Sequence, residues 1–310
     1  MNKPQRGQRR KAKGRDIHGI VVLDKVAGIS SNSALQEVKR IFEANKAGHT
    51  GSLDPLATGV LPLCLGEATK VSQFLLDSDK KYLARVRLGI RTDSGDSEGN
   101  IIEQQDAVNV TRQQVEQALE NFRGEIEQLP PMHSALKVDG VPLYKLARQG
   151  ISIEREPRLV TIYAIALTQF EGDELELEIA CSKGTYIRTI ADDLGQMLGC
   201  GAHIIALRRT QAGAFTEANC VSAEALTQEK ELSGLGAIDQ HLIAMDRAVS
   251  NLPEVRLPSD TAGFVKHGQA VLIPHLPAEG LVRLYEDEQF IGIGVIDDDG
   301  KVAPRRLLVS

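Results

Sequence analysis

Cysteine is sparse and scattered in this chain. Cys64, Cys181, Cys200 and Cys220 include no CxxC pair, so neither a zinc knuckle nor a dithiol redox motif is signalled, and reduced, mostly buried thiols are expected. No GxxxxGK[ST] loop is present to cradle phosphates, and Gly199-Cys200-Gly201 lacks the third glycine of a dinucleotide fingerprint. His49 has no HExxH or CxxC company, which leaves no metal-ligand set to read. Long apolar runs are missing too. Ile20 to Leu23, the longest near the start, is far too short for a membrane span or a signal-peptide core, so a cytoplasmic protein is expected. Positive charge is in deficit: 36 Lys and Arg against 42 Asp and Glu, a formal net charge of -6, argue against binding nucleic acid through global charge.

What is present supports a folded protein. A chain of 310 residues with 42% apolar content can bury a real core, as one large domain or a large one plus a small one. Lys3, Arg6, Arg9, Arg10, Lys11, Lys13 and Arg15 precede the first acid, Asp16, and predict a disordered cationic tail over residues 1–16 of the kind that reaches for phosphates. Ile17 to Leu23 reads as a buried strand. Ala34, Leu35, Val38, Ile41 and Phe42 have helical spacing, with Ser30, Ser31 or Ser33 as the cap. Lys81 to Leu88 alternates as a half-buried strand with a basic face. Asp93 to Gly99 has its acids and glycines at the wrong places for an EF-hand and reads as a polar strand connection.

Val115 to Phe122 predicts a further helix, and Pro130-Pro131 opens an irregular basic segment through Gly150. Strands at 159–167 and 174–180, a helix at about 187–198 and a strand near 203–207 complete a mixed α+β pattern. The stretch 222–239 reads as helical to loop-like. After Pro253 and Pro258, short strands at 281–285, 290–296 and 302–309 predict a small all-β module over 251–310. Asp297-Asp298-Asp299-Gly300 fits a hairpin turn better than a metal cluster.

The chemistry concentrates in Gly48-His49-Thr50-Gly51-Ser52-Leu53-Asp54-Pro55-Leu56-Ala57-Thr58-Gly59, one acid in an uncharged, glycine-punctuated loop. Glycines at 48, 51 and 59 permit unusual backbone angles, and Pro55 biases Asp54 toward an extended conformation. Such a loop presents a carboxylate as nucleophile or base; it equally fits a turn whose Asp caps the next segment. Three other places could meet Asp54: Tyr82, the turn Lys183 to Arg188, and Leu207-Arg208-Arg209. Each alone has a plainer explanation, in packing, helix entry or surface pairing. Together they offer a carboxylate, a guanidinium and two aromatic rings, which suits cofactor-free chemistry on a planar, stackable substrate.

Those residues carry a specific resemblance. Gly48 to Gly59, with Leu23-Asp24-Lys25 before it and Leu65-Gly66-Glu67-Ala68-Thr69-Lys70 after it, resembles the catalytic region of the TruB family of tRNA pseudouridine synthases. Cys181-Ser182-Lys183-Gly184-Thr185-Tyr186-Ile187-Arg188-Thr189 resembles a second motif of that family, and Val302-Ala303-Pro304-Arg305-Arg306 more loosely resembles a PUA-type RNA-binding module. The resemblance implies a catalytic domain over 17–250 of mainly antiparallel sheet, with a mobile thumb at 124–150, and a PUA-like domain over 251–310. It implies conversion of a T-loop uridine, the one numbered 55 in tRNA, to pseudouridine without cofactor or metal. Asp54 then matches the catalytic aspartate and Arg188 its partner. Tyr82 matches the aromatic that stacks on the base, His49 the residue that fills the space the base leaves, and Tyr186 and Leu207 the lining of the uracil pocket. The expected partner is the tRNA T stem-loop, with no membrane, and the chain is expected to be a monomer because no long apolar seam is present. Two rivals share these residues: an RNA-binding or chaperone protein in which the Asp54 loop is structural, and an aspartate-nucleophile phosphotransferase, weakened by the missing DxDx[TV] sequence.

Overall fold

The structure, a computed structural model, describes residues 14–105, 108–274, 276 and 279–308. In chain order, β1 (Gly19–Lys25) leads to α1 (Ser31–Ile41), β2 (Ala47–His49), β3 (Thr58–Leu65), α2 (Ser72–Leu76) and β4 (Lys80–Leu88). A small hairpin of β5 (Ile90–Thr92) and β6 (Ile101–Gln104) precedes α3 (Arg112–Leu119) and β7 (Gly124–Gln128). The segment after β7 carries β8 (Lys137–Val138), β9 (Val141–Pro142) and the short α4 (Leu143–Ala147). Then follow β10 (Arg158–Glu171), β11 (Glu174–Cys181), α5 (Ile187–Met197), β12 (Ala202–Ala212), β13 (Phe215–Thr216), α6 (Ala223–Ser233) and α7 (Leu235–Ile238).

Among the described residues nine of these strands form one sheet, along the order β1-β3-β12-β4-β11-β10-β7, with β2 beside β3 and β13 beside β12. Every pairing in it is antiparallel except β12 with β3, where Arg208 and Arg209 meet Thr58 and Gly59. That one parallel contact carries the site, because it lays the end of the Asp54 loop against β12. The sheet is clothed on both faces. A large core gathers α1, α3, α5 and α6 side chains, such as Val38, Val115, Leu194 and Leu226, over Leu61, Val86 and Leu177. A second core on Ile20, Val22, Val60 and Cys64 is closed by Leu75, Val249 and Ile293, the last from the C-terminal part of the chain.

That part adds β14 (Glu254–Leu257), α8 (Ser259–Lys266), β15 (Val271–Leu272), β16 (Gly280–Glu286), β17 (Gln289–Ile296) and β18 (Lys301–Leu307), whose strands form a five-stranded sheet over a third core. It is an α+β protein with a C-terminal β module, as expected, although the module includes the helix α8. Asp297 does close the β17–β18 hairpin, its Oδ1 accepting from the backbone of Asp299 and Lys301 at 3.1 and 2.8 Å. The module is tied down by Tyr285 Oη donating to Asp246 at 2.7 Å and Lys70 Nζ donating to Leu307 O at 2.9 Å.

Several readings are sharpened. Arg15, counted with the cationic run, is folded in: it pairs with Asp239 and its backbone bonds Glu43 and Asn45, while residues 1–13 of that run lie outside the described residues. Gly124 to Gln128, assigned to the thumb, pair with Arg158 to Ile162 and so belong to the main sheet. The basic face of β4 is neutralised at the edge of β11, Arg85 by Glu174 at 2.5 Å and Arg87 by Asp173 at 3.0 Å. Those guanidiniums are committed to strand-strand pairs, which are worth little individually at the surface. Among the described residues no helix is long and apolar enough to cross a membrane.

Candidate active site

The Asp54 loop is held from below by residues of the β1–α1 turn. Lys25, 1% exposed, donates through Nζ to Val26 O, Pro55 O and Ala57 O at 2.9, 3.1 and 2.7 Å. Gly28 N donates to Pro55 O at 2.8 Å. Ser30 caps α1 by accepting from Ser33 N, which frees the neighbouring Ser31 to hold the loop: its hydroxyl accepts from Leu53 N at 2.7 Å and donates to Leu53 O at 2.9 Å. The loop itself turns once, Ala57 N donating to Asp54 O at 3.0 Å. Of the three glycines, Gly51 and Gly59 take positive φ, +104 and +97°, whereas Gly48 lies in β2 opposite Cys64 and needs no such freedom. A Cβ on Gly59 would stand 2.3 Å from Arg209 O, so the parallel contact itself demands glycine there.

Opposite the loop, α5 begins at Ile187. Its N-cap residue, Tyr186, is fixed by the buried Gln128 of β7, which accepts from Tyr186 N at 3.0 Å and donates to Tyr186 O at 3.3 Å. Arg188, on the first turn, is 4% exposed. Its Nε lies 2.9 Å from Asp54 Oδ2, its Nη1 3.4 Å from Asp96 Oδ2 and 2.9 Å from Ser94 O, and its Nη2 donates to His133 O at 2.8 Å. The expected alternative, a surface pair, does not hold for a side chain this deep.

Asp96 went unrecognised in the sequence, because Asp93 to Gly99 reads as an ordinary polar connection. In the fold that turn is sewn to β12, Ser97 N and Ile204 N exchanging bonds with Ile204 O and Gly95 O at 2.9 and 3.0 Å. Asp96 Oδ1 accepts from Ser94 Oγ and Glu98 N at 2.6 and 3.1 Å, which leaves Oδ2 for the guanidinium. Lys25 and Gln128 were likewise missed as site residues, and Arg209 was noted only as part of Leu207-Arg208-Arg209; nothing in residue order says they are buried.

Asp54, Tyr82, Tyr186, Arg188 and Leu207 all line one cavity of about 270 Å³, together with Lys80, Ser134 and Arg209. His49 does not line it. It sits in β2 opposite Leu63, with Nδ1 buried and without a partner among the described residues. A larger cavity of about 750 Å³ adjoins, sharing only Lys80 with the first, and holds none of the converging acids and rings. No group of three or more His, Cys, Asp or Glu is placed to hold a metal among the described residues.

Burial sets the electrostatics. The Asp54 side chain keeps 39% of its surface open, toward the cavity, yet protein surrounds the carboxylate elsewhere, and desolvation raises its pKa above the usual range against the pull of Arg188. The Tyr82 phenol is also pushed up by burial, with Arg209 acting in the opposite direction. Lys25 and Lys80 are pushed down to about 8 by burial. His49 is lowered by burial and by Arg209, which favours the neutral ring. The result is a pocket with one carboxylate paired to a buried guanidinium, walled by two aromatic rings and a leucine, and open on one side. Such a pocket can take a flat heterocycle and stabilise or form a bond to an electron-poor carbon beside it.

The comparisons agree along the whole chain. The TruB family pseudouridylate synthase N-terminal domain matches residues 39–187, the tRNA pseudouridylate synthase B C-terminal domain residues 188–250, and the pseudouridine synthase II TruB C-terminal domain residues 253–308. The chain is 55% identical over 309 residues to tRNA pseudouridine synthase B of Tolumonas auensis, covering 97% of this chain and 95% of the relative. It is 54% identical to that of Serratia proteamaculans, covering 100% and 99%. Among solved structures, a chain of a Cbf5-Nop10-Gar1 complex superposes with a TM-score of 0.72 at 27% identity over 94% of this chain and 84% of that one. A chain of an H/ACA RNP bound to a substrate RNA, at 24% identity and a TM-score of 0.73 over 100% and 94%, shares the fold. With domain matches and near-full-length relatives of this identity, the chain belongs to the TruB family of pseudouridylate synthases and is, with them, an isomerase.

Proposed function

We propose that the protein converts a tRNA uridine to pseudouridine, and that the uridine is the one numbered 55 in the T-loop, reached by flipping the base into the cavity beside Asp54. The tRNA substrate follows the names of the relatives; the observation that carries the rest is the Arg188–Asp54 pair, 2.9 Å apart, at a cavity walled by Tyr82, Tyr186 and Leu207. Uridine and pseudouridine contain the same atoms, so the reaction needs no oxidant, no hydrolysis and no nucleotide energy. The N1–C1′ bond breaks, the base turns without leaving, and C5 joins C1′. N1 ends with a proton and C5 loses one.

Asp54 supplies the negative charge that this sequence requires at C1′, either as a nucleophile that leaves again when C5 attacks or as the ion partner of the separated sugar. Arg188 keeps that carboxylate ionised after RNA has closed the cavity against water, and Asp96 and Ser94 O keep Arg188 from following its partner. Tyr82 stacks on the uracil and serves the proton that leaves C5. Stacking is worth about 1 to 3 kcal/mol per base, comparable with the few kcal/mol that extrusion costs. Tyr186 and Leu207 bound the pocket, and His49, from the adjacent strand, takes the space the base vacates in the T-loop. The segment after β7 covers the RNA loop.

Mass-spectrometric mapping of a T stem-loop transcript after incubation with the purified protein tests this reading. Pseudouridine at the position equivalent to 55, formed by the wild type and not by Asp54→Asn at equal RNA occupancy, is the expected result. Binding without conversion by the wild type favours the RNA-chaperone alternative. Turnover that persists in excess EDTA counts against a magnesium-dependent phosphotransferase.

A further inference from the structure

Among the described residues Arg209 is the largest fully buried side chain, 1% exposed. Its Nε donates to Val60 O at 2.7 Å and its Nη2 to Gly51 O at 3.3 Å. No carboxylate lies within 4.0 Å of it among the described residues, although Arg188, Arg208, Arg91 and Arg15 each have at least one. A guanidinium removed from water without a counter-ion is costly, and folding alone does not require one here, since the same two carbonyls could be met by neutral donors. Its charge is felt by Tyr82 and Lys80 from β4, His49 from β2, Lys25 from β1 and the Cys220 thiol.

The link to Tyr82 is built into the sheet. Arg209 and Tyr82 are register partners on the adjacent antiparallel strands β12 and β4, both line the cavity beside Asp54, and the guanidinium charge favours the ionised phenol. Cross-strand partners on one face are held at fixed separation by the ladder, so this is a rigid pairing rather than a chance approach of two long side chains.

We propose that Arg209 is a positioning residue for proton transfer at C5: it fixes the Tyr82 hydroxyl and balances the negative charge that oxygen carries between two proton transfers. The inference rests on the reading of Tyr82 above. When N1–C1′ breaks, the bonding electron pair remains on N1, and Tyr82 gives its proton to that nitrogen and becomes a phenolate beside Arg209. When C5 bonds to C1′, the Asp54 oxygen or ion partner is released with its electron pair. The C5–H electrons then return to the ring as the proton passes to the phenolate. Tyr82 ends as it began, N1 has gained one proton and C5 has lost one. Arg209 exchanges none and touches no atom of the substrate.

The test is a double-mutant cycle in single-turnover reactions on a T stem-loop RNA, with RNA affinity measured in parallel. Wild-type conversion is established first, so failure of the parent reading would show there as no pseudouridine at all. Arg209→Lys is expected to lower the rate at least tenfold with affinity within twofold. It should also raise the isotope effect with 5-deuterated uridine, because C5 deprotonation then limits the rate. In a Tyr82→Phe background, which is itself slow, the same Arg209→Lys change is expected to cost less than twofold. Losses that multiply independently, or a loss of affinity with the rate intact, overturn the proposal, the latter marking Arg209 as a phosphate contact. Should Arg209→Lys not fold, 3,5-difluorotyrosine at position 82 with Arg209 intact decides: a displaced alkaline limb of the rate profile is expected, and an unmoved profile overturns the relay.

Discussion

Arg188 reaches Asp54 and Asp96 with one guanidinium, Nε at 2.9 Å from the first carboxylate and Nη1 at 3.4 Å from the second. The two acids are not equivalent. Asp96 is 4% exposed and satisfied on its other oxygen by Ser94 and Glu98, whereas Asp54 opens on the cavity. The inner acid therefore anchors Arg188, and the outer one is the acid open to the cavity, a division that only the folded chain defines.

Asp96→Asn keeps the shape and removes the charge that holds Arg188 in place. Hydrogen bonds to charged groups contribute about 1.5 to 3 kcal/mol, so a drop in single-turnover rate on the order of thirtyfold is expected, with RNA affinity close to wild type. Rate and affinity measured on one T stem-loop RNA check this, and an unchanged rate would show that Arg188 needs no anchor.

The pH profile of the rate follows from Asp54. Its pKa is raised above the ordinary carboxylate value by burial, and in the proposed reaction it must be ionised to act, so activity should fall on acidification at a pH above that ordinary value. Arg188 works against this rise, so Arg188→Gln should move the acid limb to still higher pH besides lowering the plateau. Single-turnover rates from pH 4 to 9 for both proteins are the measurement.

Lys80 gives a pH effect of a different kind. Its Nζ caps the end of α2 by donating to Leu75 O at 3.1 Å, Leu76 O at 2.8 Å and Ser78 O, yet burial pushes its pKa down to about 8. Between about 8 and 10.5 the unfolded chain holds the proton more tightly than the native one, so this lysine makes stability rise with pH in that window, by at most about 1.4 kcal/mol per pH unit. Below pH 8 both states are protonated and the contribution is flat. Lys80→Met should lower stability at neutral pH by stranding three carbonyls, and should lose this rise; urea unfolding from pH 7 to 10 compares the two.

Gly59→Ala tests the parallel contact. Positive φ of +97° and a Cβ placed 2.3 Å from Arg209 O leave the strand no room, and a loss of about 2 to 4 kcal/mol is expected. Gly48→Ala is the control, with ordinary backbone and its nearest neighbour, Thr69, at 3.7 Å; it should cost far less. Equal losses in denaturant unfolding would refute the distinction.

Local pattern by itself determined a good deal of this protein. Alternation marked β4 and β11 because one face of each is buried, and helical spacing marked α1 and α5 for the same reason. The glycine-rich loop around Asp54 and the motif ending at Arg188 were legible because residue type and spacing survive without coordinates, and they carried the family resemblance. Their meeting was not legible, nor was the second tier. Asp96 lies in a turn that looks like any polar connection until Ile204 pairs with it; Ser31 looked like a helix cap until Leu53 came within 2.7 Å; Arg85 and Arg87 looked like a free basic stripe until Glu174 and Asp173 claimed them. These are contacts between segments distant in the chain, and whether a charge is solvated, paired or buried depends on what the other strand brings to it. Sequence periodicity encodes which face of an element is dry, but tertiary packing alone decides which charges share that dry space.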